Sequence, residues 1–421
     1  MRIRRREAGQ KGRGPARLRI GPLASGAAAG AVIAAAVLMA SCNDDHGPAG
    51  TARPEPLDPA LVARGKAIFR HDTYGDETFW TDTLRLHEVI RGAVSPKVAL
   101  GVGLKVDLDT LPATVRDALA AGRIDLDAPA TTVTLLQLGA VVGLAGQVDA
   151  SGQLTRVGTT CALCHSTVDD AFAPGIGHRL DGWPNRDLNV GAIVALSPVP
   201  SASAKAAFNS WGPGRYDPRF NIDGKNMPVV IPPAFGLREV RREIYTGDDT
   251  VSYWNRYVAI TQMHGHGSFA DPRIGVNVQN PPENLTDDKL AALRAYQFSL
   301  GKPAPGAFDA AAATRGRQVF TGAGQCASCH AGTVFTDVNA GTLHAPDEVG
   351  QDAAYAERSV TKRYRTTPLR GLFHPPQLQG PYFHDGHAKT LADVVDHYIA
   401  LRRLQLTAQQ KADLVEYLKS L

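Results

Sequence analysis

The chain has 421 residues, 43% of them hydrophobic and 20% charged, which is enough apolar material to bury a substantial core and too much for a disordered chain. Its formal charge of +4 is set by the N-terminus: Arg2, Arg4, Arg5, Arg6, Lys11, Arg13, Arg17 and Arg19 against Glu7 place a local +7 in the first twenty residues, leaving −3 for the remainder. Composition therefore excludes nucleic acid as a partner, because no basic excess is left to neutralise phosphates.

In chain order, the basic stretch is followed by an uncharged, alanine-rich apolar run over about 23–40, the pattern of a secretory signal. The run ends Leu38-Met39-Ala40-Ser41-Cys42, which resembles the cleavage box of bacterial lipoproteins. The expectation is a signal peptide over 1–41, a lipidated Cys42 anchoring the chain to the membrane, a linker over 42–56 and a periplasmic body. An uncleaved single span is the alternative, since the run approaches the roughly 18 residues that cross a bilayer.

The first amphipathic start, Ala63-Arg64-Gly65-Lys66-Ala67-Ile68-Phe69, is echoed far downstream by Thr314-Arg315-Gly316-Arg317-Gln318-Val319-Phe320, an internal repeat. Phe320 lies 6 residues before Cys326, whereas Phe69 lies 92 before Cys161, so the first copy reads as carrying an insertion over about 70–158. Helical patterns near 81–92 and 111–121 fall in it. So does a predicted hairpin, 140–148 answered by 154–157 across Asp149-Ala150-Ser151-Gly152, turn chemistry between β-branched runs.

Cys161-Ala162-Leu163-Cys164-His165 and Cys326-Ala327-Ser328-Cys329-His330 both have the C-x-x-C-H spacing of covalent c-type haem attachment. Two intervening residues bring both sulfurs within reach of the two vinyl groups of one porphyrin, and the histidine presents a ring nitrogen to the iron. A thioredoxin-like thiol pair or half a zinc site would use the same spacing once; two copies in a chain of five cysteines favour two haem c groups. With Cys42 assigned to lipid, no cysteine is left for a disulfide.

Each motif is followed by a proline-containing stretch, 228–233 and 366–370, and then a helix, 252–260 and 391–401. Proline disfavours helix, so these stretches should wrap the haems as loops. A helix over 285–299 and the breaker-rich 301–306 separate the halves. The fold expected is mainly α, two tandem cytochrome c-like domains over 57–300 and 307–421, the first with a long insertion containing helices and a β-hairpin.

The second half resembles the bacterial di-haem cytochrome c peroxidase family, which includes the enzyme that matures tryptophan tryptophylquinone. The resemblance rests on Cys326 to His330, Phe335-Thr336-Asp337, Leu343-His344, Tyr364-Arg365-Thr366-Thr367-Pro368-Leu369-Arg370, Pro381-Tyr382-Phe383-His384-Asp385-Gly386 and Thr390-Leu391. It implies an electron-transfer haem, a peroxidatic haem and, in many members, an interface calcium ion bound by backbone oxygens that fall here on Thr366 and Pro368.

The sixth iron ligand separates the functions, because a closed iron passes electrons and an open one binds peroxide. Outside the N-terminal segment the methionines are Met227 and Met263. For haem one Met263 is favoured, at a helix end like the one that supplies the family's methionine, with His264, His266, Met227 and His178 behind it. For haem two, His344, His374, His384, His387 and His397 all follow the motif. His384 matches the family's histidine near the haem, while His397-Tyr398 stands where the family has methionine. Haem two is thus either bis-histidine, through His384 or His397, or five-coordinate.

Two readings follow: a membrane-tethered carrier of single electrons between redox proteins, or a peroxidase that reduces hydrogen peroxide. The second needs a distal acid–base group, for which the sequence offers only Asp76, Glu77, His87 and Glu88. Trp183 and Trp254 are candidates for the space between the haems, with core packing the plainer role.

Overall fold

The structure, a computed structural model, describes residues 56–421. The signal and Cys42 expectations lie outside the described residues, among which no helix is long and apolar enough to cross a membrane.

Asp58 caps the Pro59–His71 helix by accepting from the Ala60 N–H, with proline in the first turn, the arrangement favoured at a helix start. Its buried face is Gly65, Ile68 and Phe69, and it crosses the Leu290–Ser299 helix at Gly65. A Cβ there would lie 1.9 Å from the Ala292 carbonyl oxygen, so only glycine allows the approach. Phe69 and Tyr296 close the contact edge to face, 5.4 Å between centroids.

The same construction recurs in the second half. Asp309 caps the Ala310–Thr321 helix, which crosses the Ala408–Lys419 helix at Gly316, where a Cβ would lie 1.9 Å from the Asp413 carbonyl oxygen. Phe320 and Tyr417 meet edge to face at 5.2 Å. The sequence repeat is thus a repeat of one helix crossing, and each crossing anchors an apolar cluster that reaches the neighbouring haem motif, through Cys161 in one and Cys326 in the other.

Between the first crossing helix and its motif come a π-helical turn at Thr78–Thr83 and helices at Leu86–Ala93, Pro96–Gly101, Ala113–Ala120 and Pro129–Gln137. The predicted hairpin is present as Leu144–Val148 paired antiparallel with Leu154–Thr159, and it hands the chain straight to Cys161. Asp76 fixes that hand-over: its buried carboxylate accepts from the Thr159 N–H (3.1 Å) and hydroxyl (2.5 Å).

The expectation of a mainly helical molecule with one hairpin needs correction, because the described residues are mixed, with five two-stranded sheets. Val106–Asp107 pairs with Ile176–Gly177, Ser166–Val168 with Arg179–Asp181, Arg215–Tyr216 with Val229–Val230, and Gly267–Asp271 with Val276–Asn280. A chain with 42 glycines and 28 prolines covers much of its core with loops, and these ribbons satisfy loop backbone groups that would otherwise be buried unpaired.

Candidate functional site: two haem-attachment motifs

At the first motif the one-turn helix Ala162–His165 follows Cys161. His165 donates from Nδ1 to the Pro232 carbonyl oxygen at 3.1 Å, and burial pushes its pKa down to about 4. The ring is therefore neutral and fixed in the tautomer that leaves Nε2 for a metal. At the second motif, a 3-10 turn over Cys326–Ser328, His330 donates from Nδ1 to the Phe335 carbonyl at 3.0 Å, giving the same tautomer. Burial pushes the Cys161 and Cys326 thiols up to about 11 and Cys164 up to about 12. Burial at these three sulfurs favours the uncharged form, which a thioether provides. The four cysteines of the two motifs are not joined in disulfides.

The second motif opens on a cavity of about 320 Å³ whose wall includes Cys326, Cys329 and His330, within the roughly 300–1,000 Å³ of cofactor pockets. The segment 366–372 and side chains Leu391, Val395 and Tyr398 of the Leu391–Arg402 helix line it, as do Pro232, Phe235 and Tyr245 from the first half. Both proline-containing stretches border this cavity, the first of them at the second motif and not only at the motif it follows. Apolar walls, a histidine and the buried, unpartnered Arg186 Nε fit a porphyrin with its two acid side chains.

Met263 ends a π-helical turn over Val258–Gln262 and packs in the same apolar cluster as Cys161. Met227 lies in a different cluster, with Tyr355 and Tyr364. His264 stacks on Phe79 at 3.6 Å, and burial lowers its pKa to about 4. His266 is buried with neither ring nitrogen partnered among the described residues. His178 is exposed and pairs with Asp109.

Near the second motif, His384 lines the cavity. It donates from Nδ1 to Gln351 Oε1 at 3.0 Å, and its Nε2 lies 3.4 Å from the Tyr364 hydroxyl, which itself donates to the Asp352 carbonyl. Burial lowers the His384 pKa. His397 is absent from the cavity wall and donates from Nε2 to the Val349 carbonyl. His344 sits between Asp337 and Glu348, His374 bonds the Ala304 carbonyl, and His387 pairs with Asp385.

Tyr398 was visible in the sequence only as the neighbour of His397. It lines the cavity and its hydroxyl has no hydrogen-bond partner among the described residues; burial and the nearby Cys329 and Cys326 push its pKa up to about 12. Leu391, Val394, Val395 and Tyr398 share one helical face, a signal the sequence did contain. Glu243 also lines the cavity; burial, opposed by Arg365, pushes its carboxyl up to about 7.

The acidic residues considered as distal groups lie elsewhere. Asp76 holds Thr159, Glu77 accepts from the Thr73 hydroxyl, Glu88 pairs with Arg85, and His87 lies 4.0 Å from Glu88; none lines the cavity. At the expected calcium oxygens, the Thr366 carbonyl accepts from the Thr336 hydroxyl at 2.6 Å and the Pro368 carbonyl from the Arg370 N–H at 3.2 Å. Trp183 meets His374 at 5.1 Å and the cavity residue Phe235 at 6.2 Å, while Trp254 packs in a core with Tyr257 and Phe269.

No family model matches the chain. The methylamine utilization protein MauG of Methylorubrum extorquens is 33% identical over 125 residues, 26% of this chain and 34% of that protein. The chain is similar to MauG. It spans about a third of that relative's length. Among solved structures, hydrazine synthase of Kuenenia stuttgartiensis pressurized with xenon has a TM-score of 0.32 at 20% identity, covering 46% of this chain and 72% of that one. A MauG-like protein associated with microbial copper homeostasis has a TM-score of 0.31 at 20% identity, covering 47% and 74%.

Proposed function

We propose that this chain is a di-haem c-type cytochrome of the di-haem peroxidase-like family, exported to the periplasm and tethered through Cys42, that passes single electrons between redox proteins. Its modules would be 57–300 and 307–421, with haem bound through Cys161, Cys164 and His165 in one and Cys326, Cys329 and His330 in the other. The supporting observation is that both motif histidines donate Nδ1 to a backbone carbonyl, the orientation an iron-ligating imidazole requires. Bound haem would supply the one-electron couple; Cys161, Cys164, Cys326 and Cys329 would hold it by thioethers, and the apolar walls would exclude water and help to set its potential. Met263, packed in the same cluster as Cys161, is the side chain that would complete the iron at the first motif. For haem two the cavity wall offers His384 and Tyr398, each with an available donor atom.

Peroxidase activity is the second reading, and one observation favours it. Glu243 and His384 both line the cavity at the second motif and are titratable groups able to hold or move a proton beside a bound peroxide. A resting spectrum of the purified holoprotein followed by peroxide separates the two. Two low-spin haems unmoved by peroxide, with a methionine-to-iron charge-transfer band, are expected for electron transfer; a high-spin signal consumed by peroxide would establish the peroxidase reading instead. Protein lacking covalent haem on either half would overturn both.

A further inference from the structure

Four arginines line the cavity at the second motif: Arg186, Arg365, Arg370 and Arg402. Arg365 pairs with Glu243, Arg370 pairs with Glu239, and Arg402 is exposed to solvent. Arg186 is different. Its one hydrogen bond runs from Nη1 to the Ile231 carbonyl at 2.6 Å, its Nε is buried without a partner, and no carboxylate faces it among the described residues. The neighbouring phenols do not compensate it, since Tyr245 donates to the Val230 carbonyl and Tyr382 to the Leu372 carbonyl, and burial holds both phenols protonated by raising their pKa values.

An enclosed, uncompensated guanidinium is costly to keep charged, and a planar fork with free N–H groups is built to receive a carboxylate. We propose that Arg186 binds a propionate of the haem attached at Cys326 and Cys329, and that this contact places one fixed positive charge between the two haem sites. The connectivity of the chain sets that position. Ile231, whose carbonyl holds Arg186, adjoins Pro232, whose carbonyl holds His165, while Pro232 itself lines the cavity of the second motif. Asn185, the residue before Arg186, donates from its backbone N–H to the Cys164 carbonyl. A residue rooted beside one attachment motif thus delivers its charge into the cavity of the other. The inference rests on haem occupying this cavity.

The test is spectroelectrochemistry on the holoprotein and its Arg186→Gln and Arg186→Lys variants, with haem counted per chain. A positive charge beside the porphyrin favours the reduced iron, so R186Q should lower the midpoint potential of haem two and, by less, that of haem one. R186K should restore the potentials while still shifting the propionate bending mode in the resonance Raman spectrum, because an ammonium lacks the planar fork. If R186Q does not accumulate, the lysine variant decides alone, and an unshifted propionate mode there overturns the proposal. Unchanged potentials in R186Q with both haems present would likewise refute it without touching the di-haem reading. A chain carrying no haem at 326–330 would instead refute the reading beneath it.

Discussion

At the scale of single residues, the site is arranged by what each polar atom can and cannot reach. His165 and His330 each spend Nδ1 on a carbonyl, whereas His344 is held by Asp337 and Glu348 and His374 by the Ala304 carbonyl. Glu243 is the residue whose environment has a measurable consequence at ordinary pH. Its Oε2 lies 3.2 Å from Arg365 Nη1 while Oε1 is buried without a partner, and desolvation outweighs the arginine, so the carboxyl titrates at about 7 against an ordinary 4.5. Below pH 7 the group is neutral; above it, a carboxylate beside the cavity favours ferric iron. The potential of haem two should therefore fall as pH rises through about 7, and E243Q should flatten that segment of the titration. A pH-independent potential in the unmodified protein would refute the assignment. By linkage, the native chain keeps a proton that the unfolded chain releases above 4.5. Stability from this group is accordingly full below that pH and lost as pH rises through about 7.

At the scale of elements, the two helix crossings are the framework, and each depends on one glycine. Gly316→Ala would gain the helix propensity of alanine, about 1 kcal/mol, but must move a backbone carbonyl now 1.9 Å from the added carbon. Overpacking of this kind typically costs about 1–3 kcal/mol, so G316A should melt at lower temperature than the unmodified holoprotein in a calorimetric scan; an unchanged or higher midpoint would show that the helices separate freely. Much at this scale was legible in the sequence. The repeat around Gly65 and Gly316 located both crossing helices, and the hairpin was placed by a turn in which Asp149 accepts from the Ser151 and Gln153 N–H groups. What glycine does in the repeat was not legible, because its reason lies on a partner helix more than ninety residues away, at Asp413. The ribbons were missed because strands such as Arg215–Tyr216 and Val229–Val230 are too short to carry a period. Motif histidines could be read from spacing, whereas Glu243, Arg186 and Tyr398 reach one cavity from segments that nothing in the sequence connects.

At the scale of the whole molecule, second-half arginines hold first-half acceptors. Arg370 reaches the Gly236 carbonyl and Glu239, and Arg365 reaches the Arg242 carbonyl and Glu243. Arg358 grips Asp217 at 2.9 Å and Asp223 at 2.7 Å. The Arg358 and Asp217 side chains are 1% and 0% exposed, so salt should screen this pair little. These arginines, with Arg365 and Arg370 beside the cavity, link the two halves of the chain. Breaking a buried pair by deleting one partner leaves the other charge stranded, at a cost of about 3–5 kcal/mol. R358A should lose stability of that order in urea denaturation of the holoprotein followed by Soret absorbance. Arg358→Lys should recover only part of it, because one ammonium cannot fork to both carboxylates. The double variant R358A/D217N should lose less than the two single losses added together, since removing the stranded charge removes the penalty. Additive losses would mean that Arg358 and Asp217 act independently and that this pair does not couple the halves.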